Sequence, residues 1–224
     1  MTLLDTCFNA HVMISAFPTL MRGLANTLML GLLAIGLGIP VGLAISLVRL
    51  YAPRPLRLLA VGYIDIFRAM PVLVVLILIY YALPFVGIRL SSWTSAALAF
   101  MFVMSAYSAE VFRSGIESIP RGQFEAAQAL GLPFLLTLRK VVLPQAIRLV
   151  IPPSTSNCVS MFKDTSLASV VALPELLKEA NNAQALYANP SPLIAAALLY
   201  LLFLWPMVRL VGLLERKFKT EKAR

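Results

Sequence analysis

Two adjacent charged residues, Lys163 and Asp164, stand between uncharged runs. Ser154, Thr155, Ser156, Asn157 and Ser160 precede them, and Thr165 and Ser166 follow. At about 1.5 Å per helical residue, the pair lies about 20 Å from Leu149, where the uncharged stretch begins. A charge at that depth in a bilayer needs a partner or a watery cavity, and such residues mark pathways for polar solutes. Three chemistries fit: recognition of a solute along a pathway, a proton or sodium site, and a structural ion pair joining helices or subunits. Arg68, at the inner mouth of another uncharged run, can meet a carboxylate or snorkel to the interface. Ser105, Tyr107 and Ser108 near the end of a third run can line a cavity or bond between helices. Bond-making chemistry finds no support. There is no phosphate-cradling G-x-x-x-x-G-K-[ST], no H-E-x-x-H and no G-x-S-x-G. His11 has no Ser, Cys or acidic partner in a recognisable arrangement, and Cys7 and Cys158 lie far apart with no metal spacing.

The elements that must position these residues are membrane helices. The 224 residues are 60% hydrophobic and 13% charged, against about 25% charged in soluble domains. Uncharged runs predict an all-α, polytopic protein with five transmembrane helices at about residues 24–48, 69–88, 90–109, 149–174 and 191–208. Residues 1–23 read as an outer-side segment lying at the interface. With no basic residue before Arg22, they do not read as a cleaved signal peptide. Residues 24–214 form the membrane domain and 215–224 a basic tail. Ala34, Gly38 and Gly42 recur every fourth residue, a small ridge that admits a second helix closely. Pro152-Pro153 predicts a break in the fourth span. Glu110, Arg113 and Glu117 are spaced to pair along one helix side, and Asp65 and Arg68 to pair on another. Residues 175–189 read as an outer amphipathic helix. The net charge of +9 sits beside apolar runs rather than on one stripe, so it signals topology and not nucleic acid. Segments 49–68, 113–148 and 209–224 hold fifteen Lys or Arg, and the opposite segments hold three, Arg22, Arg89 and Lys178. That asymmetry places the N-terminus outside and the C-terminus in the cytoplasm.

The stretch 120–145 falls on the cytoplasmic side and is not a span. Ala126, Ala127, Ala129 and Leu130 favour a helix. Gly131 suits the left-handed position past its end, and Pro133 opens another helix that Leu143-Pro144 closes. Phe124, Ala127 and Leu130 then share a face. An apolar knob flanked by Arg121, Arg139 and Lys140 needs a cover, and a groove on a soluble partner supplies one.

Glu125-Ala126-Ala127, three residues, Gly131, nine residues, then Val141-Val142-Leu143-Pro144 resembles the EAA loop of permease subunits of bacterial ABC importers, with Val141 for the usual Ile. Residues 106–123 (AYSAEVFRSGIESIPRGQ), Phe67-Arg68 with Pro71, and Lys163 to Leu167 (KDTSL) are similar to its polar amino-acid branch. The resemblance implies a type I importer permease in the bacterial inner membrane. Its partners are two ATPase subunits that grip the EAA helices, a second permease subunit (the same or similar), and a periplasmic amino-acid-binding protein. ATP and Mg are bound by the ATPase, with no cofactor in this chain. It assigns Glu125, Ala126, Ala127, Leu130, Gly131, Leu143 and Pro144 to ATPase coupling. The candidate pathway set is Arg68, Ser105, Tyr107, Asn157, Lys163, Asp164, Thr165 and Ser166. Arg68 and Lys163 tilt the expected cargo toward glutamate or aspartate. A carrier or channel driven by an ion gradient is the rival reading.

Overall fold

The computed structural model describes residues 7–222, with side chains as far as residue 216, and among these are nine α-helices and no strand. Helix α1 (Ala10–Tyr51) starts at Asn9, whose side chain accepts the Val12 N–H, as a helix cap does. It runs 42 residues, about 63 Å and roughly twice the hydrocarbon core of a bilayer. The expected outer segment is therefore corrected: residues 10–23 are the first part of α1, and residues 1–6 lie outside the described residues. Packing explains the continuity. Ala16 and Leu20 are buried against Leu176, Ala180, Ala183 and Ala196. A Cβ added at Gly23 would come within 2.9 Å of Leu176 Cα.

Helix α2 (Arg54–Ala69) stops at Met70, which is extended (ψ 137°), as a residue before proline must be. After Pro71 comes α3 (Val72–Ile77), prolonged by a π turn (Leu78–Ala82) and a 3-10 turn (Leu83–Val86). The two rods meet at 106°. Helix α4 (Ser92–Glu117) is capped by Ser91, which accepts the Thr94 N–H. Helices α5 (Arg121–Ala129) and α6 (Phe134–Thr137) form an elbow. Helix α7 (Leu143–Asp164) passes into a 3-10 stretch, Thr165–Val171. Helix α8 (Leu176–Tyr187) is capped by Glu175, and α9 (Ser191–Lys222) is the last described element. The Glu175 carboxylate accepts the N–H groups of Leu177 and Lys178 and the hydroxyl of Tyr200. Burial nonetheless pushes its carboxyl above the usual carboxylate range.

Among the described residues, three helices are long and apolar enough to cross a membrane, α1, α4 and α9 over Ser191–Arg216, and the bent α2–α3 pair makes a fourth if counted as one span. The stretch 149–174 is not among them, because α7 carries the Ser, Thr, Asn, Lys and Asp residues noted above. Two further expectations are corrected. Pro152-Pro153 does not break α7, which is helical throughout 143–164. A Cβ at Gly115 of α4 would clash with the Val150 side chain, so α4 and α7 pack closely just before the two prolines. That packing holds the helix where backbone bonds are missing. Likewise Leu143-Pro144 does not close a helix. It follows a π turn, Leu138–Val142, that joins α6 to α7. The wider turn lets the Leu143 N–H reach the Leu138 carbonyl and clears space for the proline ring.

The small ridge on α1 does what its spacing predicts. Ala34, Gly38 and Gly42 are buried, and Gly38 and Gly42 face Met104, Ser105 and Ser108 of α4. A Cβ on Gly42 would lie 2.6 Å from the Ser105 carbonyl oxygen and 3.0 Å from the Ala109 nitrogen. Backbone atoms cannot step aside. Gly36 of the same helix has nothing within 4 Å of an added Cβ. Gly42→Leu is expected to destabilise by about 1–3 kcal/mol or more through overpacking, while Gly36→Leu is close to neutral. Thermal unfolding of the two purified variants checks the contrast.

Candidate functional site

Three elements line a partly open cavity of about 200 Å³. Val72 opens α3, Val103, Met104 and Tyr107 come from α4, and Asn157, Ser160, Met161 and Asp164 from α7. One wall is apolar, and α7 supplies an amide, a hydroxyl and a carboxylate. A helical residue turns 100° from its neighbour, so Asp164 faces the cavity while Lys163 is exposed on the outside of the chain. The two side chains do not meet within 4.0 Å of each other, and only Asp164 lines the cavity. Of the expected pathway residues, Tyr107, Asn157 and Asp164 are thus brought together. Ser105 is not: it is buried and turned to α2, 2.6 Å from the Tyr63 hydroxyl and 2.8 Å from the Phe102 carbonyl. Thr165 is buried with its hydroxyl on the Phe162 carbonyl, and the Ser166 hydroxyl bonds to the Lys163 carbonyl. Both close the end of α7 rather than line the cavity.

Arg68 sits at the cavity's edge, its guanidinium 5.8 Å from the centre of the Tyr107 ring. An aromatic cluster on α2 and α4 puts it there: the Phe67 ring lies 4.7 Å from Tyr63 and 5.3 Å from Phe102. Arg68 turns to Glu110, at 3.7 Å, and not to Asp65. Glu110 also holds Arg49 of α1 at 2.7 Å and Arg113 of its own helix, and Arg113 in turn holds Glu117. The sequence spacing foretold the pairs along α4. The links from Arg49 and Arg68 to Glu110 join residues far apart in the chain, and no local spacing signals them.

The elbow of α5 and α6 is joined to the C-terminal ends of α1 and α4. Ile116, Ile119, Leu138, Val142 and Ala146 form a buried cluster with Leu47, Leu50, Phe124 and Leu143 around it. Tyr51 meets Phe134 edge-on at 5.0 Å. Gly131 is left-handed, with φ +72°. Its N–H bonds to the Gln128 carbonyl and that of Leu132 to the Ala127 carbonyl, the two bonds of a Schellman stop. Ala127 is buried, whereas Leu130, Leu135 and Phe134 are 80%, 73% and 53% exposed. Leu130 therefore parts from Phe124 and Ala127: the inner face is clamped to the bundle and the outer face is an uncovered apolar corner. Glu125, Ala126 and Pro144 are exposed, and Leu143 is partly buried.

Comparison with known proteins agrees with this geometry. Residues 34–220 match the family described as binding-protein-dependent transport system inner membrane component. The chain is 39% identical to a probable amino-acid ABC transporter permease protein of Bacillus subtilis, YckA, over 77% of this chain and 76% of that one. It is 38% identical to the L-cystine transport system permease protein TcyB of the same organism, over 74% and 71%. A crystal structure of an amino acid ABC transporter with histidines superposes with a TM-score of 0.84 at 33% identity, covering 92% of this chain and 96% of that one. With the helical fold, the polar-lined cavity and the clamped elbow in place, the chain belongs to the family of binding-protein-dependent transport system inner membrane components, the permease subunits of ABC importers.

Proposed function

We propose that this subunit lines the translocation pathway for a polar amino acid in an ATP-driven importer. In this reading five passes cross the membrane: α1, the bent α2–α3 rod, α4, α7 with its 3-10 extension, and α9. The N-terminus is outside and the C-terminus cytoplasmic, as the excess of basic residues favours. The observation that carries the proposal is the elbow. Its inner face is packed, its stop is locked by Gly131, and its outer face presents Leu130, Phe134 and Leu135 uncovered beside Arg121, Arg139 and Lys140. An apolar corner of this kind calls for a grooved partner, and an ATPase subunit fills that role. Glu125, exposed on α5, pairs with a basic residue of that partner. Two ATPase subunits, a second permease subunit and a periplasmic amino-acid-binding protein complete the assembly, with ATP and Mg held by the ATPase.

The cavity is proposed as the cargo's passage. Asp164 suits the α-ammonium of an amino acid, Asn157 and Ser160 its polar atoms, and Arg68 at the edge its carboxylate. Lys163 lies outside the cavity on the exposed surface, so the tilt toward glutamate or aspartate keeps only Arg68 in its favour. Asp164 counts against a second carboxylate. A zwitterionic, side-chain-neutral polar amino acid is the better match. Competition of uptake by aspartate, glutamine and arginine ranks the classes, and strongest competition by aspartate would restore the acidic cargo.

Vesicles holding the assembled importer should take up cargo with ATP inside and no ion gradient. Uptake that needs a gradient and ignores ATP would sink the proposal. In the same vesicles Asp164→Asn lowers uptake by about 10–100-fold, the loss of one charge-assisted bond, with ATPase capture unchanged. Gly131→Val forces a β-branched residue into the left-handed region at about 1–2 kcal/mol and abolishes uptake while the chain still inserts. Gly131→Asn, which tolerates that backbone, keeps most of it. Because a Cβ at Gly131 meets nothing within 4 Å, equal damage by both substitutions would show that the left-handed backbone is not what matters.

A further inference from the structure

A second concavity, of about 680 Å³, lies between the first turns of α1 and the middle of α9. Met13 and Phe17 form one bank, and Leu198, Leu202, Trp205 and Pro206 the other. It is apolar throughout, and neither the cargo cavity nor the elbow touches it. From Ala195, which also lines it, to Arg209 the helix rises about 21 Å, more than half of a hydrocarbon core of about 30 Å. Leu198, Leu202, Trp205, Arg209, Gly212 and Arg216 follow one another at steps of four and three, so they share one face of α9. That face is greasy along the groove and cationic past its end. The Arg209 guanidinium is stacked 5.3 Å from the centre of the Trp205 ring, which sets the positive charge at the groove's mouth. Between the two arginines an added Cβ at Gly212 would meet nothing within 4 Å, leaving a gap along the face.

A long apolar trough ending in an aromatic ring and a fixed arginine has the polarity of a phospholipid, with tails along the trough and phosphate at its mouth. We propose that this groove is a binding site for one anionic phospholipid, from the leaflet that holds the C-terminal end of α9. The acyl chain lies along Leu198, Leu202 and Trp205 against Phe17. The headgroup phosphate meets Arg209 over the Gly212 gap. The arginine supplies the preference for an anionic headgroup, and the trough separates this lipid from the annulus, where a convex helix offers no second bank. The site stands apart from the cargo pathway, so it does not depend on which solute is carried.

The test uses the purified permease with its ATPase partner. It is exposed in detergent to equal amounts of phosphatidylglycerol and phosphatidylcholine with matched chains, and retained lipid is counted by native mass spectrometry. Retention of phosphatidylglycerol over phosphatidylcholine by about fivefold is expected, the selectivity that one basic residue near a headgroup gives. Arg209→Gln removes that preference but keeps the chain-dependent retention, and Arg209→Lys keeps the preference. Leu198→Trp, which fills the trough, releases both lipids. Glycerol phosphate, a headgroup without chains, does not compete. Equal retention of the two lipids by the unaltered protein overturns the proposal, as does undiminished selectivity in Arg209→Gln. Displacement of lipid by glycerol phosphate alone would reduce the site to a phosphate contact and overturn it too. So would a Leu202→Cys variant that crosslinks to a second copy, since the groove would then be a subunit seam.

Discussion

A single carboxylate, Glu110, receives three guanidinium groups from three parts of the chain. Arg49 ends α1, Arg68 ends α2, and Arg113 lies one turn further along α4. Without the glutamate, three cations, two of them partly buried, would crowd one another with no opposite charge between them. With it, the ends of three helices are drawn to one point. That point lies three residues from Tyr107, which lines the cavity, and six from Ile116, which packs under the elbow. The cavity and the elbow are therefore mounted on one rod, α4, and tied to the rest of the bundle at one node.

That arrangement relies on the close approach of α1 and α4. Glycine at 38 and 42 brings the two backbones within contact of one another, and at that distance Arg49 reaches Glu110. A bulkier ridge would push α1 outward and lengthen the ion pair beyond use. The regular four-residue spacing of small side chains was the signal for this contact, and it was sufficient because small-residue ridges act through shape alone. The same is true of Gly131, where the need for a left-handed residue is local and can be read from the flanking helix formers and Pro133.

The features that sequence left hidden share a different cause: each is decided by neighbours distant in the chain. Pro152 and Pro153 predict a break by local rules, but Val150 sits against Gly115 of another helix and α7 stays whole. Lys163 and Asp164 stand out together as charges in an apolar context, yet helical geometry sends one into the cavity and the other out. Residues 10–23 look like a separate segment by composition, and only the surfaces of α8 and α9 make them part of a longer helix. Leu130 shares a spacing with Phe124 and Ala127, but it sits at the helix end, where the chain turns away and carries it off that face. Glu110 could be placed in a pair along α4, whereas its partners on α1 and α2 required knowing which helix ends meet.

Rigidity also limits where the bundle can change shape. From Tyr107 to Glu117 the helix α4 is continuous, about 15 Å of unbroken backbone bonds carrying cavity wall, ion cluster and elbow support. A force applied at the elbow is then transmitted along this rod rather than absorbed in it. The compliant places are those where regular bonding already stops. One is the 106° bend at Met70-Pro71, beside Arg68. Another is the 3-10 stretch after Asp164, which ends in a left-handed Ala172. Each borders the cavity, through Val72 and Asp164 respectively. In the proposed assembly, a partner pulling the elbow would accordingly change the cavity by shifting its α4 wall relative to the α3 and α7 walls. Such a displacement would widen or narrow the space around Asp164 without unpacking the helices that enclose it.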